Sequence, residues 1–227
     1  MFYGIAGVGS DGVPAAAAAA GGPTVIDWSS APETDPNNAV TFTKAETVSA
    51  TLNGTMHTMG ASTQAYLAYT LPTVVTPGDG FRLIVEVLSS SGLVTGHGLG
   101  VGLGSSASNA VYGSMYNTAG GWSASLATLG NNLPAVDGLG RSAATPGKIV
   151  FCMSLSNDNG NYKAGRDVTL LDSDGAELGS GVAHSIVPWG MTTLTNLDTV
   201  YLFSHDQTGA AAFWSVRVSY QHSNNAT

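Results

Sequence analysis

The residues best suited to proton transfer or metal ligation are five histidines, His57, His97, His184, His205 and His222. They are far apart in the chain. No H-x-x-x-H or H-E-x-x-H spacing occurs, so zinc has no helix-borne ligand pair to start from. His205-Asp206 is a candidate site pair, and a polar turn tip explains it more simply. No G-x-S-x-G turn presents a serine nucleophile. Asp172, Asp174 and Glu177, with Asp158 as a further donor, offer hard oxygen atoms of the kind Ca2+ takes. Tight turns use Asp and Gly in any case, and the turn is the preferred reading. No other cofactor is expected. The single cysteine, Cys152, excludes an intrachain disulfide and sits in a strand-like context where it serves as a small apolar residue.

Two glycine patterns remain. Gly7-Val8-Gly9-Ser10-Asp11-Gly12 fits G-x-G-x-x-G, and Asp27 follows where a ribose-binding acid would sit. That chemistry needs a strand before the glycines and a helix of several turns after them. Here the only helix room is 14–20, closed by Gly21-Gly22-Pro23, so dinucleotide binding is set aside. The second pattern is G-H-G-L-G-V-G-L-G at 96–104. In a strand, His97, Leu99, Val101 and Leu103 share one face and glycine fills the other. A glycine face leaves backbone bare for a ligand. On this reading Gly98, Gly100 and Gly102 line a ligand face, with Tyr112, Tyr116 and Trp122 nearby to stack on sugar rings. The alternative is that large side chains of neighbouring strands cover the glycines.

The elements that must position these residues are strands. Residues 214–220 alternate Trp214, Val216, Val218 and Tyr220 with Ser215, Arg217 and Ser219, the period of a strand with one buried face. Residues 200–203 are apolar on both faces, and with 214–220 they read as a closing hairpin across a polar turn at 204–209. Strands are also expected at 24–28, 39–43, 48–52, at 65–71 up to Pro72, and at 81–88, where Phe81, Leu83, Val85 and Val87 share a face. Further strands are expected at 96–104, 111–116, 122–126 and 148–155. A hairpin at 167–171 and 176–183 closes across Asp172-Ser173-Asp174-Gly175. Helical periodicity is nearly absent. Short strands at this spacing imply an all-β antiparallel sandwich or jelly roll over 24–227. Residues 1–23 form an extended glycine- and alanine-rich arm, which would span about 70 Å if fully stretched. Its composition predicts disorder in isolation. Phe2, Tyr3 and Ile5 are read as a hydrophobic plug that anchors it in an assembly.

Composition bounds the function. Hydrophobic residues make up 43% of the 227, enough for a core, while charged residues are only 10%. The surface is therefore neutral and hydroxyl-rich, suited to packing against copies of itself or to neutral ligands such as glycans. The net charge of −8, with seven scattered cations, excludes the positive footprint that nucleic acid needs. No apolar run reaches the roughly 18–20 residues of a membrane span. The first cation is Lys44, so no signal-like positive region is expected, and assembly in a cytoplasm is.

The order of elements resembles the concanavalin A-like jelly roll in its laminin-G-like or pentraxin-like form. The resemblance rests on a core strand after a Gly/Asp turn, the Gly147-Lys148-Ile149-Val150-Phe151 strand and the Thr169-Leu170-Leu171-Asp172-Ser173-Asp174-Gly175 hairpin. It also rests on the ending Val200-Tyr201-Leu202-Phe203 with Ala212-Phe213-Trp214-Ser215-Val216-Arg217-Val218-Ser219-Tyr220. Glycosidases of that class carry E-x-D-x-E, and none of Glu33, Glu46, Glu86 and Glu177 sits in such a pattern. Asn161-Tyr162-Lys163-Ala164-Gly165 echoes a polysaccharide-lyase strand. Its Arg-x-Glu-x-Arg partner is missing, and Gln221-His222-Ser223 matches Gln-x-His only loosely. The protein is therefore expected not to be an enzyme. Low charge, small-residue richness and an arm before a lectin-like body also resemble bacteriophage virion proteins such as capsid decoration proteins, head fibres and tail fibres. That resemblance implies a virion location and partners among sister subunits, in a homotrimer, and other virion proteins. A host surface glycan is a further partner it implies.

Overall fold

The computed structural model describes residues 22–54, 65–76, 79–106, 109–118, 121–129, 147–158, 161–181, 197–206 and 210–223. For the strands within 111–129, and for most of those within 149–168, it describes the backbone alone. The arm with Phe2, Tyr3 and Ile5 lies outside these residues, as do His57, His184 and the segment 130–146.

The described chain is all strand and turn. In order the strands are β1 (Thr24–Val25), β2 (Glu33–Thr34), β3 (Val40–Thr43), β4 (Thr47–Asn53), β5 (Ala65–Val75), β6 (Gly80–Ser91) and β7 (His97–Ser106). They continue as β8 (Asn109–Thr118), β9 (Gly121–Leu129), β10 (Lys148–Asp158), β11 (Asn161–Leu171), β12 (Glu177–Gly181), β13 (Leu197–Asp206) and β14 (Ala211–Ser223). They form two antiparallel sheets. The larger runs β12-β11-β10-β6-β14-β4-β3, with β1 also on β14, and the smaller runs β2-β5-β13-β7-β8-β9.

Period-two patterning aims one face of each sheet at the other. From the larger sheet come Val48, Ala50, Leu52, Phe81, Leu83, Val85, Trp214, Val216 and Val218; from the smaller come Leu67, Leu99, Val101, Leu103, Val200 and Leu202, all in one buried cluster. At roughly 25 cal/mol per Å2 of apolar surface removed from water, this shared layer dominates the stability. Trp28 and Ile26, from the stretch after β1, join it.

Residues 200–203 are buried throughout, as a strand apolar on both faces requires. The expected closing hairpin, however, is not one. β13 lies in the smaller sheet between β5 and β7, and β14 in the larger between β6 and β4, so the two strands lie in different layers. The Trp214 indole N–H donates to Ser204 Oγ at 3.1 Å between those layers. Two apolar faces of this width bury more area stacked face to face than paired edge to edge. The strand at 65–71 also runs further than expected, through Pro72 to Val75. Its ladder to β13 slips between Thr199 and Leu197, and the irregular stretch of β5 accommodates a residue with no N–H to donate.

Candidate functional site

The glycine strand is β7. Its partners are β13 on one side and β8 on the other. Gly102 pairs with Tyr201 and Tyr112, Gly100 with Phe203 and Ser114, and Gly98 with His205 and Tyr116. Paired residues of an antiparallel ladder share a face, so Tyr201 and Phe203 lie on the glycine face, away from the main core. They form a second buried cluster there with Ala110, backed by Tyr66 and Ala68. The Tyr66 and Tyr201 rings meet edge to face, centroids 5.6 Å apart. Burial first, and the neighbouring Tyr66 second, push the Tyr201 hydroxyl up to about 12.

Gly98, Gly100 and Gly102 are themselves buried. Beside Gly100 and Gly102 the buried rings of Phe203 and Tyr201 share their face, as in the alternative reading, while the side chains paired with Gly98 lie outside those described. The register places Tyr112 and Tyr116 on the glycine face. It places Trp122, which pairs with Asn117, on the opposite face, so the three aromatic positions are not brought together. Their side chains lie outside those described. His97, at the head of β7, is 1% exposed and closes a turn: Val94 N–H donates to its Nδ1 at 2.9 Å, and its own N–H donates to Val94 O. His205 and Asp206 are consecutive on β13, hence on opposite faces.

At the calcium candidates, the Asp172 carboxylate accepts the Asp174 and Ala176 N–H groups at 2.9 and 2.8 Å. Gly175 supplies the positive φ of the turn, +86°. Asp174 and Glu177 are exposed. Among the described residues no three acidic, histidine or cysteine side chains gather as a metal site. Asp172 caps a turn, which is why the sequence has an Asp there.

Among the described residues the most enclosed ion pair joins Asp79 and His222, which the sequence pattern does not link. Asp79 precedes β6 and His222 sits near the end of β14, where it pairs with Phe81. His222 Nε2 stands 3.0 Å from Asp79 Oδ2, with the two side chains 9% and 8% exposed. Thr76 sends two more donors to that same oxygen, its N–H at 2.7 Å and its hydroxyl at 3.0 Å. Phe81 lies edge-on to the imidazole and stacks on Tyr220. Burial opposes ionisation of Asp79, but the Thr76 N–H, His222 and the Thr76 hydroxyl together hold its carboxyl below the usual range.

Chemically this is a clamp. A hydroxyl nucleophile would have to bond the imidazole, and the imidazole the carboxylate. Here hydroxyl and imidazole converge on one carboxylate oxygen, so no proton relay runs through the three. A sequence signal for it did exist. His222 continues the inward parity of Trp214, Val216, Val218 and Tyr220, and Asp79 has the parity of Phe81. What the sequence lacks is any sign that positions 143 residues apart meet.

The outward face of the larger sheet carries a row of paired charges. Glu86 lies between Lys148 at 3.4 Å and Arg217 at 3.9 Å, one row across β10, β6 and β14. Beside it Ser49 and Ser215 hydroxyls meet at 3.0 Å, and Thr41, Thr43, Thr47 and Thr51 continue a hydroxyl face over β3 and β4.

No family model matches the chain, and no curated protein does. Solved structures do resemble it. The cellulose-induced protein Cip1 is 14% identical over 86% of this chain and 92% of its own, with a TM-score of 0.42. A legume lectin-like domain from Entamoeba histolytica is 10% identical over 86% and 89%, with a TM-score of 0.46. The globular domain of T. cruzi calreticulin is 12% identical over 86% and 88%, with a TM-score of 0.45. The fold itself is established by the chain's own ladders: an all-β protein built as a two-layer antiparallel sandwich.

Proposed function

We propose that this is a non-enzymatic bacteriophage virion structural protein. The sandwich is displayed outward as a decoration, fibre or tail-surface component, and residues 1–23 anchor it to the particle or to sister subunits in a trimer. The observation that carries the reading is the outward face of β3, β4 and β14. Thr41, Thr43 and Thr51 are exposed and Thr47 and Ser49 partly so, with half-buried Phe213 beside them and Arg217 at their border, its charge met by Glu86 of β6. Such a face loses little by desolvation when it packs against another subunit, because hydroxyls both donate and accept. Four of the described ionisable groups serve the fold: Asp79 clamps, Glu86 bridges, and Asp172 and Asp35 cap backbone N–H groups.

The test is the particle. Immunogold labelling of intact virions with antibody to the sandwich is expected to decorate their surface, and full-length protein carrying Phe2→Asp and Ile5→Asp is expected to be lost from purified particles. Absence of the wild-type protein from particles overturns the proposal. Oligosaccharides incubated with the protein are expected to keep their masses, and turnover would overturn the non-enzymatic reading.

The second reading is a carbohydrate-binding or host receptor-binding module, favoured by the same neutral hydroxyl face. A glycan array without binding removes it and leaves the first reading standing.

A further inference from the structure

Four strands end the main paths of the two sheets, with two-residue β1 a short fifth beside β14, and an open strand edge invites pairing with another chain unless something guards it. β3 and β12 end the larger sheet, β2 and β9 the smaller. β3 is four residues long, its Val40 N–H is taken by Asp35 Oδ2 at 2.8 Å, and Lys44 follows it. β2 is two residues long, and its Glu33 pairs with Lys44 at 3.8 Å. β12 is five residues, begins with Glu177 and slips register against β11. Shortness, charge or irregularity thus guards each of the three. β9 has none of these. It runs nine residues, Gly121–Leu129, without a charge or a proline. Its ladder to β8 is unbroken from Thr118↔Gly121 to Ala110↔Leu129. Among the described residues no strand pairs its other side.

We propose that β9 is a strand-addition site for residues 1–8 of a second copy of this chain. The inference rests on the proposed role of the leader as an assembly arm and names where that arm docks. Ladder hydrogen bonds supply the affinity in this mode, and alternate side chains the specificity. The leader suits an uncharged edge: its first acid is Asp11 and its first cation Lys44, while Phe2, Tyr3, Ile5 and Val8 are strand formers. Length agrees as well. Eight extended residues cover about 26 Å and nine about 30 Å, at roughly 3.3 Å each. The residues that remain before Thr24 span up to about 50 Å, which lets the arm leave its own body at β1 and reach a neighbour.

Full-length variants test this. Light scattering is expected to give an oligomer for the wild type, and monomers both for Phe2→Asp with Ile5→Asp and for Ala124→Lys with Ser125→Pro, each with wild-type circular dichroism. If the leader variant is monomeric while a folded β9 variant remains an oligomer, docking at β9 is overturned and the arm reading survives. If the leader variant keeps its oligomeric mass, or the wild type is a monomer, both fall. Should the β9 variant not fold, a synthetic peptide of residues 1–10 is expected to dissociate the wild-type oligomer, and no change in mass overturns the proposal. Oxidation of Ala6→Cys combined with Ser123→Cys, Ser125→Cys or Ala127→Cys, in a Cys152→Ser background, is expected to give covalent bridges between chains, up to a linked trimer. A bridge within one chain overturns the second copy as occupant, and no bridge at any of the three positions overturns the site.

Discussion

The Asp79 carboxylate gathers three donors on one oxygen in a place with little water. Removing it leaves the His222 ring nitrogen and the Thr76 N–H without their acceptor. Asp79→Ala is therefore expected to cost about 1–3 kcal/mol in a denaturant titration. The sign with pH follows from the lowered carboxyl. The folded chain holds that proton more weakly than the unfolded chain, so the contribution is present above the ordinary aspartate value and fades as pH falls through the lower folded one. Wild type is expected to lose stability in that acid window more steeply than Asp79→Ala, and parallel curves would show that the clamp contributes nothing to acid sensitivity. At this scale the sequence was partly legible. The Asp172 turn could be read because Asp and Gly carry their own local geometry. The Asp79–His222 clamp could not, because parity gives the face a side chain points to and not its partner.

Strands were legible wherever one face is wet and the other dry, as in Phe81–Leu83–Val85 of β6 and Trp214–Val216–Val218 of β14. The relation between β13 and β14 was not. Two strands joined by a short polar turn read as a hairpin, yet here they lie in facing layers, tied by the indole N–H of Trp214 on Ser204 Oγ. Ser204→Ala is expected to cost about 1–3 kcal/mol in the same titration, because a buried donor then lacks an acceptor. Trp214→Phe with Ser204→Ala is expected to cost less than the sum of the two single changes, since no polar atom of the pair is left alone while the smaller ring leaves its cavity in both backgrounds. A double variant with fully additive costs would show that the bond does not couple the layers. The glycine stripe of β7 follows the same logic. The pattern showed that one face lacks side chains, and the register with β13 showed that Tyr201 and Phe203 occupy it.

For the whole molecule, β14 lies between β6 on one side and β4 and β1 on the other, so the last described strand is interior and the first pairs with it. A chain ending after Ser215 lacks Val216 and Val218, both fully buried, and leaves the inner edge of β6 open. It is expected to show no cooperative thermal transition and no near-ultraviolet circular dichroism, and a normal melt would mean the sandwich stands without its centre. By itself the sequence determined the all-β class, the inward and outward residues of most described strands, and a neutral, hydroxyl-bearing exterior. These depend on period two and composition, which are local. Only the tertiary structure decided which sheet each strand joins, that Asp79 meets His222, that Tyr201 and Phe203 share the face of the β7 glycines, and that β9 ends its sheet among the described residues. Each of these depends on pairing between distant segments, and a strand's pattern specifies a face to bury without specifying the neighbour that buries it.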